Sequence, residues 1–283
     1  MNGGAARAHT GQASTAAASL GGTAAFFLYT ILMSWASRRR FIVISILAAI
    51  AIALLAAIVI PIVYETPTCS DKKRNQDETG VDCGGSCARV CEAEALSPKV
   101  EFARIVSPRA GRTDVIAYVA NPNKEAAVRS ARYTVELYGS AGSIVATRQG
   151  TMDLPPGATV PVFVPGLPAD EAGTRAFFVF DPASLVFVTY QDRRIVPRYN
   201  NDAQVMGTDG PRIMASFSNP SATALRNIPV IATVFDADGN AIAATQTLLA
   251  ELPPQGSAQV VFVWNAPFSA APARIDVVPI VPL

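Results

Sequence analysis

A stretch of 23 residues without a charged side chain, residues 41–63, constrains the fold of this chain more than any other feature. At about 1.5 Å per residue it forms a helix of about 35 Å, longer than the hydrocarbon core of a bilayer, about 30 Å. A helix satisfies its backbone hydrogen bonds internally, as a segment in lipid must. A buried helix of a soluble core normally has a polar side, which this stretch lacks. The sequence therefore predicts a transmembrane helix over 41–63.

The charges that flank this stretch predict its orientation. Arg38, Arg39 and Arg40 precede it directly, and every Asp and Glu of the chain follows it. Basic residues beside a span favour the cytoplasmic side. A cleaved signal peptide is the alternative, but its apolar region is normally about 7–15 residues long. We therefore predict an uncleaved signal-anchor in a single-pass cell-membrane protein, with the N-terminus cytoplasmic and the domains after residue 63 extracytoplasmic.

The residues before the arginines divide into two parts. Residues 1–19 are mostly Ala, Gly, Ser and Thr and bury too little apolar surface to order themselves, which predicts a disordered cytoplasmic tail. Residues 20–37 are apolar but too short to span. Phe27, Ile31 and Trp35 recur at helical spacing and predict an amphipathic helix in the membrane interface. A helix that packs on another membrane protein is the alternative.

The distribution of charge and histidine limits the functions open to the chain. The first 40 residues carry a formal charge of +4 and the remainder −3, with no basic patch of the kind that binds nucleic acid. The single histidine, His9, precedes the apolar stretch, so the exported part has no imidazole for a Ser-His-Asp or Cys-His hydrolase. Carboxylates such as Asp114, Glu136, Asp153 and Asp276 fall on predicted strands and turns, where a solvated position is the ordinary outcome. We predict that the protein is not an enzyme.

All four cysteines lie in a predicted neck over residues 64–98. An even number of clustered cysteines outside the membrane indicates disulfide bonds. A zinc site is the alternative, but structural zinc sites favour closely spaced cysteine pairs in reducing compartments. We predict two disulfides, among which three pairings are open, formed by Cys69, Cys83, Cys87 and Cys91.

The neck resembles a short cysteine-rich module of bacterial surface and secreted proteins. The run 75–87, NQDETGVDCGGSC, is similar to the module's core, N-x-x-E-T-x-x-D-C-G-G-x-C. Lys72 stands where the module commonly has Gly, and the last gap between cysteines is one residue longer. The resemblance implies a position next to the membrane or between β-domains.

The same loop concentrates oxygen-bearing side chains between the cysteines. Calcium takes 6–8 oxygen ligands, and extracellular modules bind it weakly. A polar turn whose side chains cap local backbone groups is the alternative. A structural calcium ion is thus the one cofactor this sequence suggests, and its candidate ligands are Asp71, Asn75, Asp77, Glu78 and Asp82.

Residues 99–283 contain one pattern twice. Asn121-Pro122 recurs 98 residues later as Asn219-Pro220. Four further blocks recur in the same order: 133–147 as 230–245, 154–157 as 252–256, 158–164 as 257–263, and 174–181 as 273–280. This order indicates an internal duplication. We therefore predict two tandem domains, over 99–190 and 191–283.

Each copy has the alternation of a β-sandwich. In the first copy Val135 and Leu137 alternate with polar positions, and in the second Ile228, Val230, Ala232 and Val234 form the corresponding apolar set. Period-two alternation with frequent turns is typical of antiparallel sandwiches. Gly142 and Gly239 mark hairpin turns that need a positive φ. The predicted fold is mainly β: a transmembrane helix, a disulfide-rich neck and two tandem antiparallel sandwiches.

The order of these blocks resembles the FxLYD-type, fibronectin-III-like (Ig-like) domains of bacterial envelope proteins. The residues that carry the resemblance are Asn121, Leu137, Tyr138, Gly142 and 154–157, with Asn219, 234–236, Gly239 and 252–256. The resemblance implies spacers or binding modules.

Two groups of residues are candidates for contact with a partner. Trp264 and Phe268 end a long strand and are expected either to form a partner patch or to pack in the core. A basic and aromatic group near the domain boundary is expected either to meet an acidic wall polymer or to form a solvated hinge, and it consists of Tyr190, Arg193, Arg194, Arg198 and Tyr199.

Together these features predict a membrane-anchored envelope protein that presents two sandwiches for structural or adhesive protein contacts. Its expected partners are the lipid bilayer and a protein or cell-wall ligand, with no nucleic acid. The alternative is an accessory subunit of an envelope secretion, pilus or transport machine. The sequence does not identify the partner or the oligomeric state.

Overall fold

The computed structural model describes residues 35–63, 68–109, 112–168, 173–207 and 210–283. The chain divides into two compact units, one up to Thr66 and one from Pro67 to Leu283. The predicted disordered tail over 1–19 and most of the predicted interfacial helix over 20–37 lie outside the described residues.

Among its described residues the first unit contains one apolar helix, α1 (Trp35–Val63). Its apolar side chains are exposed along the helix, and it is long and apolar enough to cross a membrane, as an anchor or a signal sequence would be. Arg38, Arg39 and Arg40 lie within it, and the Arg39 guanidinium is 4.5 Å from the Trp35 ring. Trp35 to Val63 form one unbroken helix, so the structure shows no break between residues 37 and 41. The interfacial helix over 20–37 stays a prediction.

The second unit is mainly β and contains the two copies in sequence. In its described residues the first copy has seven strands and a short 3-10 helix (Pro182–Ser184). Its strands are β1 (Lys99–Arg109), β2 (Arg112–Ala120), β3 (Ala126–Tyr138), β4 (Ile144–Leu154), β5 (Thr159–Leu167), β6 (Arg175–Phe180) and β7 (Phe187–Thr189). They form an antiparallel sheet in the order β1-β2-β5 and a second in the order β4-β3-β6, with β7 also pairing with β3.

The second copy repeats this arrangement with shorter first strands. Its strands are β8 (Arg198–Tyr199), β9 (Gln204–Met206), β10 (Arg212–Ser218), β11 (Leu225–Phe235), β12 (Ala241–Leu252), β13 (Ser257–Val263) and β14 (Arg274–Pro279). One sheet has the order β13-β10-β8, with β9 also pairing with β10, and the other has the order β12-β11-β14. Every pairing between named strands is antiparallel, which confirms the predicted fold class.

Each copy encloses its own apolar core between two sheets. Val135 and Leu137 are fully buried in the first core, and Ile228, Val230, Ala232 and Val234 are buried in the second. The predicted inward faces are therefore confirmed. Burial of these side chains provides the main driving force for each sandwich.

The duplication extends to single hydrogen bonds. In the first copy the Asn121 amide donates to the carbonyl oxygens of Ala126, Leu154 and Pro155 at 2.8–3.2 Å. In the second, the Asn219 amide donates to those of Thr223, Leu252 and Pro253 at 2.8–3.2 Å. Each Asn thus satisfies buried carbonyls where the chain crosses between the sheets, which explains why Asn recurs in both copies.

One block of the predicted repeat is displaced by one residue. Thr159 pairs with Ala120, and its counterpart Ser257 pairs with Ser218, so the offset at this strand is 98 rather than 99. The match of 158–164 with 257–263 is therefore wrong. A shift of one residue moves a side chain to the other face of a sheet, and the correct offset aligns the buried Val162 with the buried Val260.

The predicted hairpin glycines are confirmed at both turns. Gly142 has φ +77° and Gly239 has φ +79°. At another equivalent pair the two copies differ, since Gly157 has φ +61° and its counterpart Gln255 has φ +51°. A side chain at a positive φ is strained, so the second copy carries a less favourable residue at this turn.

A third apolar cluster, the inter-sandwich cluster, lies between the two cores. It joins the outer face of sheet β1-β2-β5 to the outer face of sheet β12-β11-β14. Its buried members are Val106, Ile116, Tyr118, Ile231, Phe235, Ala241 and Ala244. The two sandwiches therefore pack face to face and do not stand apart as separate spacers.

Candidate functional site

The neck is held by two interlaced disulfides. Cys69 is bonded to Cys87, and Cys83 is bonded to Cys91. This confirms the predicted disulfides and selects one of the three pairings. Because all four sulfurs are bonded to one another in pairs, no thiolate remains for zinc.

A buried carboxylate, that of Glu78, organises the loop between the disulfides. Its Oε2 accepts hydrogen bonds from the backbone N–H groups of Asn75 at 3.3 Å and Asp82 at 3.4 Å. Its Oε1 lies 3.2 Å from the Cys87 sulfur. Only 5% of Glu78 is exposed, so the two backbone N–H groups replace part of the hydration that burial removes, whereas the disulfide sulfur of Cys87 has no hydrogen to donate.

The remaining candidate calcium ligands also bind local donors. Asp71 accepts from the Asn75 amide at 2.7 Å and from the backbone of Lys73, and these hydrogen bonds lower its pKa. Asp82 accepts from the backbone N–H of Lys72 at 3.0 Å. Asp77 accepts from the Ser86 hydroxyl at 2.7 Å, which lowers the pKa of that carboxyl.

These contacts favour the capped polar turn over a preformed calcium cage. A metal site needs several ligand atoms close together. Within the described residues, one group of three His, Cys, Asp or Glu side chains has its ligand atoms within 4.8 Å of one another, namely Cys69, Glu78 and Cys87. Both sulfurs of this group are in a disulfide. The Asn75 Oδ1 is buried without a hydrogen-bond donor. Calcium binding by this loop stays a prediction.

The backbone of the neck explains its glycines and accommodates Lys72. Gly84 and Gly85 have φ +76° and +57°, and a Cβ on Gly85 would lie 2.2 Å from the Asp77 carbonyl oxygen. Lys72, where the module commonly has Gly, has φ +61°. The fold therefore keeps a conformation at residue 72 that glycine adopts without strain.

The neck docks on the first sandwich. The Val90 N–H donates to the Phe187 carbonyl at 3.0 Å, and the Thr189 N–H donates to Ala88 at 2.7 Å, which extends the sheet beyond β7. Asn123 forms two hydrogen bonds with the backbone of Leu96, at 2.8 and 2.7 Å. The disulfide-bonded loop is thus fixed to the sandwich.

Three aromatic rings hold the two sandwiches together. Tyr118 stacks on Phe102 with ring centroids 4.9 Å apart, and Phe235 meets both rings edge to face at 5.9 and 6.2 Å. The Arg274 guanidinium covers the other side of Phe235 at 4.1 Å, and the Asp276 carboxylate pairs with Arg274. Burial raises the pKa of Tyr118, so its hydroxyl stays protonated in this interface.

A cleft of about 560 Å³ opens beside this interface, and residues of both sandwiches line it. Trp264 and Phe268 lie along it with ring centroids 5.2 Å apart, and both pack against the second core. The core-packing alternative for these aromatics is therefore confirmed. The Trp264 Nε1 is buried without an acceptor.

The four acidic residues considered for catalysis contact protein groups at separate places. Asp114 accepts from the Gly166 N–H at 2.7 Å, and Asp153 accepts from the N–H groups of Ser130 and Leu283 at 2.8 Å. Glu136 accepts from the Tyr138 hydroxyl at 3.1 Å. Asp276 pairs with Arg274. Each of the four therefore has a structural partner.

The segment between the sandwiches is held at several points. Arg194 forms an ion pair with Asp192 at 2.7 Å and donates to the Val281 carbonyl at 2.7 Å. The guanidinium lowers the pKa of the Asp192 carboxyl. Tyr190 lies 5.8 Å from the Arg129 guanidinium, and Tyr199 packs on Phe217. These contacts hold the side chains of Tyr190, Arg194 and Tyr199 against the protein, and the solvated-hinge alternative for this segment stays a prediction.

Arg193 and Arg198 remain exposed in this segment. Arg193 donates to Gln191 at 3.0 Å. Contact of these arginines with an acidic polymer stays a prediction.

Comparisons with known proteins leave the chain without an assigned family. No family model matches it, and no curated protein sequence matches it. A solved structure of red sea bream transglutaminase matches 66% of this chain at 15% identity with a TM-score of 0.24. This chain covers 30% of the length of that transglutaminase chain. The resemblances to the cysteine-rich module and to FxLYD-type domains stay predictions.

Proposed function

We propose that the protein is a membrane-anchored envelope protein that presents a rigid pair of β-sandwiches for structural or adhesive contacts. The observation that carries this proposal is the inter-sandwich cluster, in which Ile116, Tyr118 and Phe235 are buried between sheets of different copies. The neck also docks on the first sandwich, and Pro67 to Leu283 form one compact unit. A compact unit of this kind suits structural or adhesive contact with another molecule better than capture of a ligand between mobile domains.

The chemistry of the unit supports a non-enzymatic role. The four acidic residues considered for catalysis each contact a protein group, and the sequence after α1 contains no histidine. Nucleophilic or general-base catalysis of the common kinds needs an activated group in a pocket. Contact with other molecules is the function that remains.

The proposed placement is tested with epitope tags on the full-length protein in intact cells. A tag after Leu283 should bind antibody without permeabilisation of the cell membrane, and a tag before residue 1 should bind only after lysis. The reverse result would refute the proposed orientation. A tag after Leu283 released in a cleaved, soluble form would show that α1 is a removed signal sequence.

Cross-linking of the full-length protein in membranes then separates the two candidate roles. Cross-links to wall polymer or to other surface proteins are expected for a structural or adhesive protein. A stoichiometric integral-membrane partner would instead favour an accessory subunit of an envelope machine.

A further inference from the structure

Equivalent strands in the two copies differ in whether their outer faces are covered. β2 is buried on both faces over Val115 to Val119, and β11 is buried on both faces over Val230 to Phe235. Their counterparts, β10 and β3, alternate between buried and accessible positions. The difference arises because the sheet of β2 and the sheet of β11 cover each other within one molecule, whereas the outer faces of β10 and β3 stay accessible among the residues that the structure describes.

The face equivalent to that of β11 is free on the first sandwich. Tyr138 is the counterpart of Phe235, and its ring meets that of Phe177 edge to face at 5.2 Å. Phe177, Val179 and Ile144 are each about half exposed, at 49%, 48% and 49%. We call these four residues the first free face.

The face equivalent to that of β2 is free on the second sandwich. Met214 is the counterpart of Ile116, and it is 38% exposed whereas Ile116 is fully buried. Val261 pairs with Met214 across the sheet, and Val263 and Met206 flank Arg212. The second free face consists of the exposed residues Met206, Met214, Val261 and Val263.

We infer that the second free face of one molecule binds the first free face of another copy, in the way that the two sandwiches bind within a molecule. The internal repeat makes the two free faces counterparts of two faces that already fit together. Contiguous exposed apolar residues at these positions indicate an interaction site. Because the two faces differ, the contact is head to tail and leaves a free face at each end of the pair.

Charge on the two faces is compatible with this contact. Arg175 and Glu136 lie on the outer side of the first sheet, and Arg212 and Asp202 lie on that of the second. Each face thus carries positive and negative side chains among its apolar residues, with Glu136 opposite Phe177 and Arg212 between Val263 and Met206. Within the molecule, Arg274 plays the corresponding role by covering Phe235 and pairing with Asp276.

This inference deepens the proposed function, on which it rests for the idea that the sandwiches act through protein contacts. It is tested on purified full-length protein in detergent micelles, where membrane orientation has no influence. Sedimentation velocity over a wide concentration range should show a series of dimers, trimers and larger species for the unsubstituted protein.

Two variants, each with one altered face, test the head-to-tail geometry. Phe177→Glu removes the first free face and Val261→Glu removes the second, and each is expected to weaken self-association by about a hundredfold. A mixture of the two should form one-to-one dimers and stop there, because the mixture contains one intact face of each kind. Val179→Glu and Met214→Glu repeat the test at independent positions.

A matched control carries the same change outside both faces. Val186 is 45% exposed in the turn before β7, and Val186→Glu should associate like the unsubstituted protein. Unchanged circular dichroism and melting temperature show that each variant is folded. The inference is overturned if the unsubstituted protein stays monomeric, if the face variants associate as it does, or if the mixture of folded variants forms no dimer.

Discussion

Replacement of Phe235 by Ala tests the packing of the two sandwiches. The side chain is 1% exposed and lies outside both sandwich cores, in contact with Phe102, Tyr118 and Arg274. Truncation of a buried Phe typically costs about 3–5 kcal/mol. Loss of the cation–π contact with Arg274 contributes about 0.5–2 kcal/mol of that amount. We expect the free energy of unfolding to fall by about 3–4 kcal/mol.

The assay is urea unfolding of the full-length protein in micelles, followed by circular dichroism of the β-sheets. Phe177→Ala is the control, because it makes the same change at a half-exposed position, and we expect it to lower the free energy of unfolding by less than about 1 kcal/mol. A double-mutant cycle of Phe235→Ala with Tyr118→Ala should give a coupling energy of about 0.5–1.5 kcal/mol. Equal losses for Phe235→Ala and Phe177→Ala, with no coupling to Tyr118, would show that the sandwiches do not pack as described.

Four further predictions concern the turns and the neck. Asn219→Asp should lower the free energy of unfolding by about 2–3 kcal/mol in urea unfolding, because a carboxylate cannot donate to the buried carbonyls of Leu252 and Pro253. The control is Asn200→Asp at an exposed site, and an equally small loss for both variants would contradict this prediction. Gln255→Gly should raise the free energy of unfolding by about 0.5–1 kcal/mol, because the φ of +51° at residue 255 suits glycine. A decrease in the same assay would show that Gln255 is not strained. The melting temperature should stay constant from about pH 8 to pH 5 and fall below about pH 4. Hydrogen bonds from Arg132 and from the Asn240 backbone hold the pKa values of Asp181 and Asp236, respectively, below their ordinary value, so the stability that these carboxylates contribute is present above the unfolded pKa and is lost as the pH falls. A melting temperature that rises below pH 4 would refute this prediction. If the neck binds calcium, titration with the ion should raise the melting temperature, and Asp71→Asn should abolish that rise. A melting temperature that is unchanged by millimolar calcium would eliminate the calcium hypothesis.

Much of the fold was predictable because the chain repeats itself. The recurrence of Asn121 as Asn219 and of Gly142 as Gly239 identifies two copies, and the alternation through Val135 and Leu137 identifies the inward faces. Backbone geometry demands these residue types locally, so sequence patterns record them. The displaced match at residues 158–164 shows the limit of such patterns, because short runs of Val and Phe align equally well at neighbouring offsets.

The packing of one sandwich on the other was not predicted, although a sequence signal existed. The run Val115 to Val119 is apolar without alternation, and so is most of Val230 to Phe235, as expected for strands covered on both faces. Their counterparts in β10 and β3 alternate. Comparing equivalent strands of the two copies would have revealed which faces are covered.

The neck was only partly predictable for a different reason. Four clustered cysteines predict two disulfides, but their pairing depends on how the loop folds around Glu78. A carboxylate between cysteines suggests a metal ligand, whereas in the structure it accepts hydrogen bonds from Asn75 and Asp82. Sequence alone does not distinguish an oxygen that binds a metal from one that caps a turn.

Hydroxyl-radical footprinting of the unsubstituted full-length protein, diluted in micelles until it is monomeric so that Phe177 is not covered by another copy, tests the packing of the sandwiches most directly. Tyr118 is 7% exposed and Phe235 is 1% exposed, whereas Phe177 is 49% exposed on the equivalent face of the first sandwich. Face-to-face packing predicts that Tyr118 and Phe235 are oxidised far more slowly than Phe177. Oxidation of all three at similar rates would contradict it.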